Sequence, residues 1–165
     1  ELVDISSKVS GAYHFHGATA AADGRIVFAP SQASGVGVFN AADNTFELVD
    51  ISSQITGVTK FYGAATAADG RIVFAPFNAD AVGVFNPADN TFQLVDISSE
   101  ISRNYKFNGA AVAADGRIVF APSQASGVGV FNAADNTFEL VDISSKVSGA
   151  YHFHGATAAA DGRIV

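Results

Sequence analysis

The 165-residue chain contains no cysteine, no methionine and no tryptophan, and only four prolines. Without cysteine there is no disulfide staple and no thiolate metal site, so thiols say nothing about redox compartment. Basic residues are also scarce: nine Lys and Arg stand against sixteen Asp and Glu, for a formal net charge of −7. That balance argues against a nucleic-acid partner, which requires clustered cations to neutralise phosphates, and against attraction to an anionic membrane surface. No apolar run is long enough to span a bilayer, and no charged-then-apolar leader is visible. The expectation is a soluble chain with no visible targeting signal, of unassigned location. Asn-x-Ser/Thr acceptors are absent too. What is abundant is apolar: 48% hydrophobic residues against 15% charged, with 14 phenylalanines and 16 glycines, a composition that folds rather than staying disordered.

The dominant feature is a period of 46 residues. Glu1-Leu2-Val3-Asp4-Ile5 returns as Glu47-Leu48-Val49-Asp50-Ile51, as Gln93-Leu94-Val95-Asp96-Ile97 and as Glu139-Leu140-Val141-Asp142-Ile143, with no insertion or deletion. The chain is thus one repeat array, with repeats at 1-46, 47-92 and 93-138 and a partial copy at 139-165. Residues 139-165 repeat residues 1-27 letter for letter.

A period in the forties fits both propeller blades and some helical repeats, so local pattern must decide. Each repeat reads as four short runs: A at 15-21, B at 25-29, C at 35-39 and D at 45-51. Runs B to D are rich in Val, Ile, Phe and Thr, and Gly, Pro, Asn and Asp separate them, which are strand and turn signals. Asp23-Gly24, repeated at 69-70, 115-116 and 161-162, supplies the positive φ of a tight A-B hairpin. The Ala-Asp-Asn-Thr stretch at 42-45 makes the C-D turn. In run B, Ile26 and Phe28 point one way and Val27 and Ala29 the other, all apolar, so both faces of the sheet are covered, as in a blade sandwiched between neighbours. Run A is almost all Gly, Ala and Thr. Small side chains suit an innermost strand where blades converge on an axis, and this favours a radial array over a linear solenoid.

The run Val36-Gly37-Val38-Phe39-Asn40-Ala41-Ala42-Asp43-Asn44-Thr45-Phe46, followed by an apolar strand, resembles the YVTN and NHL-like bacterial propeller repeats. The near-identity of the repeats also resembles symmetric designer propellers built from duplicated blades, although a recent natural duplication would leave the same pattern. The resemblance implies an all-β fold of four-stranded antiparallel propeller blades.

About 3.6 blades make an open arc, because propellers typically need roughly four to eight. An open arc leaves apolar blade faces and strand edges in water, so closure by homo-oligomerisation is expected. With a lone D strand at 1-7 and a lone A-B hairpin at roughly 153-165, strand exchange in a dimer would give a ring of about eight sectors, or seven if the partial blades are squeezed. A trimer or an open-ended chain of copies remains an alternative.

The repeats differ mainly in two connections, D to A (8-16, 54-62 and 100-108) and B to C (31-35 against 77-81). In an up-and-down blade these emerge on one rim, opposite the hairpin turns. Candidate ligand-binding residues on that rim are Tyr13, His14, His16, Lys60, Tyr62, Phe77, Asn78, Lys106 and Asn108, although loops also vary for want of constraint. His14 and His16, repeated as His152 and His154, are two apart, a spacing that would point both imidazoles to one side of a strand and offer a weak metal pair. Third and fourth ligands are not evident. The equivalent pairs, Lys60 with Tyr62 and Lys106 with Asn108, do not keep metal-binding chemistry. Asp4, Asp50, Asp96 and Asp142 recur in every copy and read as blade-building carboxylates accepting hydrogen bonds in a buried setting, not as catalytic groups. Arg25 and its repeats follow the Asp-Gly turn and are expected to pair with its carboxylate. Gly35-Val36-Gly37 is a strand and not a dinucleotide loop, since no helix follows. No catalytic set and no cofactor are expected. The leading functional expectation is a non-enzymatic, self-assembling scaffold of engineered origin. The alternatives are a lectin-like ligand-binding module and, resting only on His14 and His16, a metal-dependent hydrolase or lyase.

Overall fold

A computed structural model describes residues 2-149 and 153-165. Its twelve strands are β1 (Phe15–Ala20), β2 (Ile26–Pro30), β3 (Gly35–Asn40), β4 (Thr45–Asp50), β5 (Phe61–Thr66), β6 (Ile72–Pro76), β7 (Ala81–Asn86), β8 (Thr91–Asp96), β9 (Phe107–Val112), β10 (Ile118–Pro122), β11 (Gly127–Asn132) and β12 (Thr137–Asp142). They form three separate four-stranded antiparallel sheets, β1-β4, β5-β8 and β9-β12, each in sequence order. These are the all-β propeller blades expected from the repeat, one per 46 residues, and among the described residues no sheet closes the arc. The strand limits differ from the sequence reading by one residue at most ends, and Pro30 closes β2 opposite Phe15.

Turn chemistry fixes each blade. Gly24, Gly70 and Gly116 sit at φ near +86° in the A-B hairpins. Asn44, Asn90 and Asn136 adopt φ of 56–58° in the C-D turns, a region Asn tolerates better than other non-glycine residues. In the same turns Asp43, Asp89 and Asp135 accept bonds from the backbone N–H and hydroxyl of Thr45, Thr91 and Thr137.

Strands β1, β5 and β9 lie side by side along the axis, as their small residues suggested. Gly17, Gly63 and Gly109 occupy the irregularity where the pairing of strands A and B shifts register. A Cβ added to Gly17 would lie 2.9 Å from Gly63 Cα; one on Gly63, 2.6 Å from Gly109 Cα; one on Gly109, 2.7 Å from Gly155 Cα. Backbone therefore meets backbone from blade to blade. All three glycines have φ between +90° and +116°, which a side-chain-bearing residue would also resist.

Each blade has two unlike faces. One carries three phenylalanines packed over a glycine of strand C: Phe61, Phe74 and Phe92 around Gly83, with ring centroids 5.9–6.4 Å apart. The opposite face is aliphatic. Blade two turns its phenylalanines onto Val27, Ala29, Val36 and Val38 of blade one. Phe107, Phe120 and Phe131 of blade three pack likewise onto Val73, Ala75, Val82 and Val84 of blade two. Both packed faces carry the hydrophobic stabilisation of the arc.

Candidate functional site

The two rims separate as the sequence implied. On one, the D-A loop of each blade is tied to the B-C loop of the blade before it; on the other, A-B hairpins meet C-D turns.

On the loop rim, Thr59 and Tyr105, the residues just before two buried lysines, adopt φ of 53° and 59°, and Tyr13 before the half-buried His14 adopts 57°. For the β-branched Thr59 this conformation is an outlier. It turns the next side chain inward. Lys60 is 3% exposed and Lys106 wholly buried. Lys60 Nζ donates to the carbonyls of Ser31 and Ala33 at 2.9 and 2.8 Å, and to that of Gly57 at 3.3 Å. Burial pushes its ammonium below the usual 10.5. Lys106 Nζ pairs with Asp80 at 2.9 Å and donates to the carbonyls of Asn78 and Arg103. Both cations thus serve as plugs between blades and do not face a ligand site. Asn78 is also committed: its amide nitrogen donates to the Thr59 hydroxyl, and its oxygen accepts from the backbone N–H of Tyr105 at 3.0 Å.

His14 and His16 border different features. His14 precedes β1 and borders a groove with Val3, Ile5, Val9 and Gly11, whereas His16 lies at the axis on the strand. His152 lies outside the described residues. Among the described residues, no three His, Cys, Asp or Glu side chains converge as a metal set.

The axial mouth does gather four candidates and two further residues, Tyr105 and His154. His16, Tyr62 and Asn108 hold the same place in successive strands A, and His154 the next. His16 stacks flat on Tyr62, with centroids 3.8 Å apart and planes 3° apart, and Tyr62 stacks on Phe77 at 4.0 Å. Tyr105 meets Phe77 edge-on at 5.2 Å. Asn108 Nδ2 lies 3.1 Å from His154 Nδ1. Partial burial, and secondly the proximity of His154, lower the His16 pKa below the usual 6.5. Tyr13, 79% exposed, stands apart from this row. Below the mouth runs an open axial trough of about 330 Å³, lined by Thr19, Thr66, Val112, Thr157 and alanines of strands A. Thr19 and Thr66 hydroxyls meet there at 3.0 Å.

On the opposite rim each arginine does more than expected. Arg25 pairs with Asp23 within its own turn at 2.7 Å, as its position suggested, and also donates to the carbonyl of Pro87 in the next blade's C-D turn. Arg71 repeats both, pairing with Asp69 and donating to the Ala133 carbonyl and to Asn136 Oδ1 at 3.2 Å. The repeat of Arg after every Asp-Gly was the sequence signal; its reach to the next blade was not readable from it. The strand D aspartates are exposed and not buried: Asp4, Asp50, Asp96 and Asp142 accept bonds from the N–H of Ser6, Ser52, Ser98 and Ser144 in short surface turns at 2.8–2.9 Å.

No family model matches the sequence, and no curated protein matches it. Solved structures do resemble the fold. Virginiamycin B lyase from Staphylococcus aureus aligns at TM-score 0.68 and 18% identity over 89% of this chain and 46% of its own. A streptogramin B lyase aligns at 0.69 and 14% over 91% and 60%. Hydrazine synthase from Kuenenia stuttgartiensis aligns at 0.65 and 12% over 93% and 43%. The chain thus spans about half the length of these proteins. At such identities the likeness concerns architecture alone: the chain folds as β-propeller-type blades.

Proposed function

We propose that this chain is a non-enzymatic propeller scaffold whose working property is association with further copies of itself. The observation that carries this reading is unequal coverage of equivalent residues. Phe61, Phe74 and Phe85 are fully buried and Phe92 is 8% exposed, whereas Phe15, Phe28, Phe39 and Phe46 of blade one are only partly covered. They border an almost wholly apolar cavity of about 260 Å³ with Val3 and Ile5. Such a face is costly to leave in water. Several of the residues kept in every repeat, namely the axial glycines, the phenylalanines of each blade face and Arg25 and Arg71, join blade to blade, which supports selection for mutual packing. The letter-for-letter identity of 139-165 with 1-27 supports an engineered or recently duplicated array. Light scattering at micromolar concentration tests the proposal: the expected mass is a multiple of 16.9 kDa, twofold in the simplest case. A monomer alone defeats it.

A second reading has one observation in its favour, the stacked row of His16, Tyr62 and Phe77 at the axial mouth. Sugars and planar rings bind such platforms. A glycan array or thermal-shift screen that finds no ligand would remove this reading.

A further inference from the structure

The structure holds two worked examples of its own blade-to-blade joint, one between blades one and two and one between blades two and three. Three devices recur in both: a phenylalanine face on a valine face, an axial glycine contact, and an arginine spanning to the next C-D turn. The unmatched halves of a third joint lie at opposite sides of the arc. On blade one are the half-covered phenylalanines, together with the Ala41 carbonyl and Asn44, the counterparts of the Ala133 carbonyl and Asn136 that receive Arg71. On blade three are Val119, Val128 and Val130, partly covered where their counterparts in blades one and two are at most 3% exposed. Arg117 is 47% exposed, against 24% for Arg25 and 23% for Arg71.

Residues 153-165 currently occupy the valine side. They do so incompletely: their two arms, joined by an isolated bridge at Ala158 and Ile164 and by backbone bonds of Thr157 with Val165 and of Ala159 with Arg163, form no full strand, Phe153 is 43% exposed, and an apolar cavity of about 220 Å³ remains beside Val119 and Val128. Residues 15-27, identical in sequence to 153-165, form the first two strands of a complete four-stranded blade.

We propose, building on the self-association reading above, that a second copy of this chain docks head to tail by placing its own blade one where residues 153-165 now lie. Its phenylalanines cover this copy's Val119, Val128 and Val130, and Arg117 reaches its Ala41 carbonyl and Asn44. Every contact that residues 153-165 make with blade three is available to the identical residues 15-27, and strands C and D add the cover that is missing. The second joint of the pair forms by symmetry. Two copies then close with three blades each, six in all, within the roughly four to eight that complete a ring, and not the about eight sectors expected when partial blades are retained.

Cysteine pairs test this directly, because the chain has no thiol of its own. Thr19 and Thr66 hydroxyls lie 3.0 Å apart across neighbouring axial strands. Two repeats on, that pair is Ala111 with Ala158; at the proposed joint it is Ala111 with Ala20 of the second copy. The Ala20→Cys/Ala111→Cys chain is expected to give a covalent dimer on oxidation. The Ala111→Cys/Ala158→Cys chain, oxidised at high dilution, is expected to lock residues 153-165 in place and remain monomeric until reduced. Arg117→Ala is expected to raise the dimer dissociation constant about tenfold or more, from the loss of a charge-assisted bond, and Arg163→Ala to leave it within about twofold. If the unmodified chain associates but Ala20→Cys/Ala111→Cys gives no covalent dimer, or the locked chain dimerises as well as the reduced one, this docking is wrong while self-association stands. If the unmodified chain stays monomeric, both fail. Circular dichroism of the reduced variants checks that each still folds.

Discussion

At Gly63 the φ angle is +108°, and an added Cβ would fall 2.6 Å from Gly109 Cα. Alanine there meets both backbone strain and a clash with backbone that has nowhere to move. Gly63→Ala is expected to cost about 3 kcal/mol or more in a denaturant melt. Gly70→Ala makes the control: φ is +86° but nothing lies within 4 Å, so the strain alone remains, about 1 kcal/mol. The imidazole at the axial mouth offers a second residue-level test. Because folding lowers the His16 pKa, the folded state takes up this proton less readily than the unfolded chain. Its contribution is therefore present above pH 6.5 and is lost as pH falls from there toward the folded midpoint. By NMR, His16 should titrate below 6.5, and His154→Ala should raise that midpoint by removing a like charge; an unmoved midpoint would show that the two imidazoles do not interact. Sequence alone placed His16 and Tyr62 on the right rim, but not against each other. Stacking across blades depends on the axial spacing, which no local pattern encodes. Lys60 and Lys106 misled for a related reason: a lysine on a variable loop reads as solvated, and only the left-handed backbone at Thr59 and Tyr105 sends it inward.

Strands and turns were the most legible level. Asp-Gly, Asn-Thr and the Val/Ile/Phe runs are local signals, so each strand emerged within about one residue of its place. The two-faced apolar pattern of strands B and C likewise anticipated burial between neighbours. Which face meets which was not legible, since Phe-on-Val pairing arises only when blades stack. That pairing makes an element-scale prediction. Phe74→Ala removes a fully buried ring and should cost about 3–5 kcal/mol, whereas Phe28→Ala, its half-covered counterpart in blade one, should cost less in the isolated monomer. In an assembled form the two costs should converge. Thermal melts at low and high protein concentration check both.

Across the whole molecule, exposed aspartates of the A-B turn, the C-D turns and the turns after strand D share one electrostatic bias. Hydrogen bonds from Arg25 and from Thr45 and Thr91 hold Asp23, Asp43 and Asp89 below the usual 3.8, and the backbone N–H groups of Ser52 and Ser98 do the same for Asp50 and Asp96. Lowered carboxylate pKa values favour the fold above pH 3.8, and that contribution fades as pH falls through the folded midpoints. Stability should therefore be level from pH 7 to about 5 apart from the His16 contribution, and drop steeply below 3.8, as an acid titration followed by circular dichroism would show. The column of axial glycines has one more consequence. At the level of Gly17, Gly63, Gly109 and Gly155 no side chain separates the innermost strands, so there the angle from one blade to the next is set by the van der Waals thickness of bare polypeptide, alike at each joint. Circumference is then a property of the 46-residue unit rather than of chain length. Chains carrying different numbers of repeats would reach the same ring by combining different numbers of copies, so the sequence encodes a pitch and leaves the count to concentration.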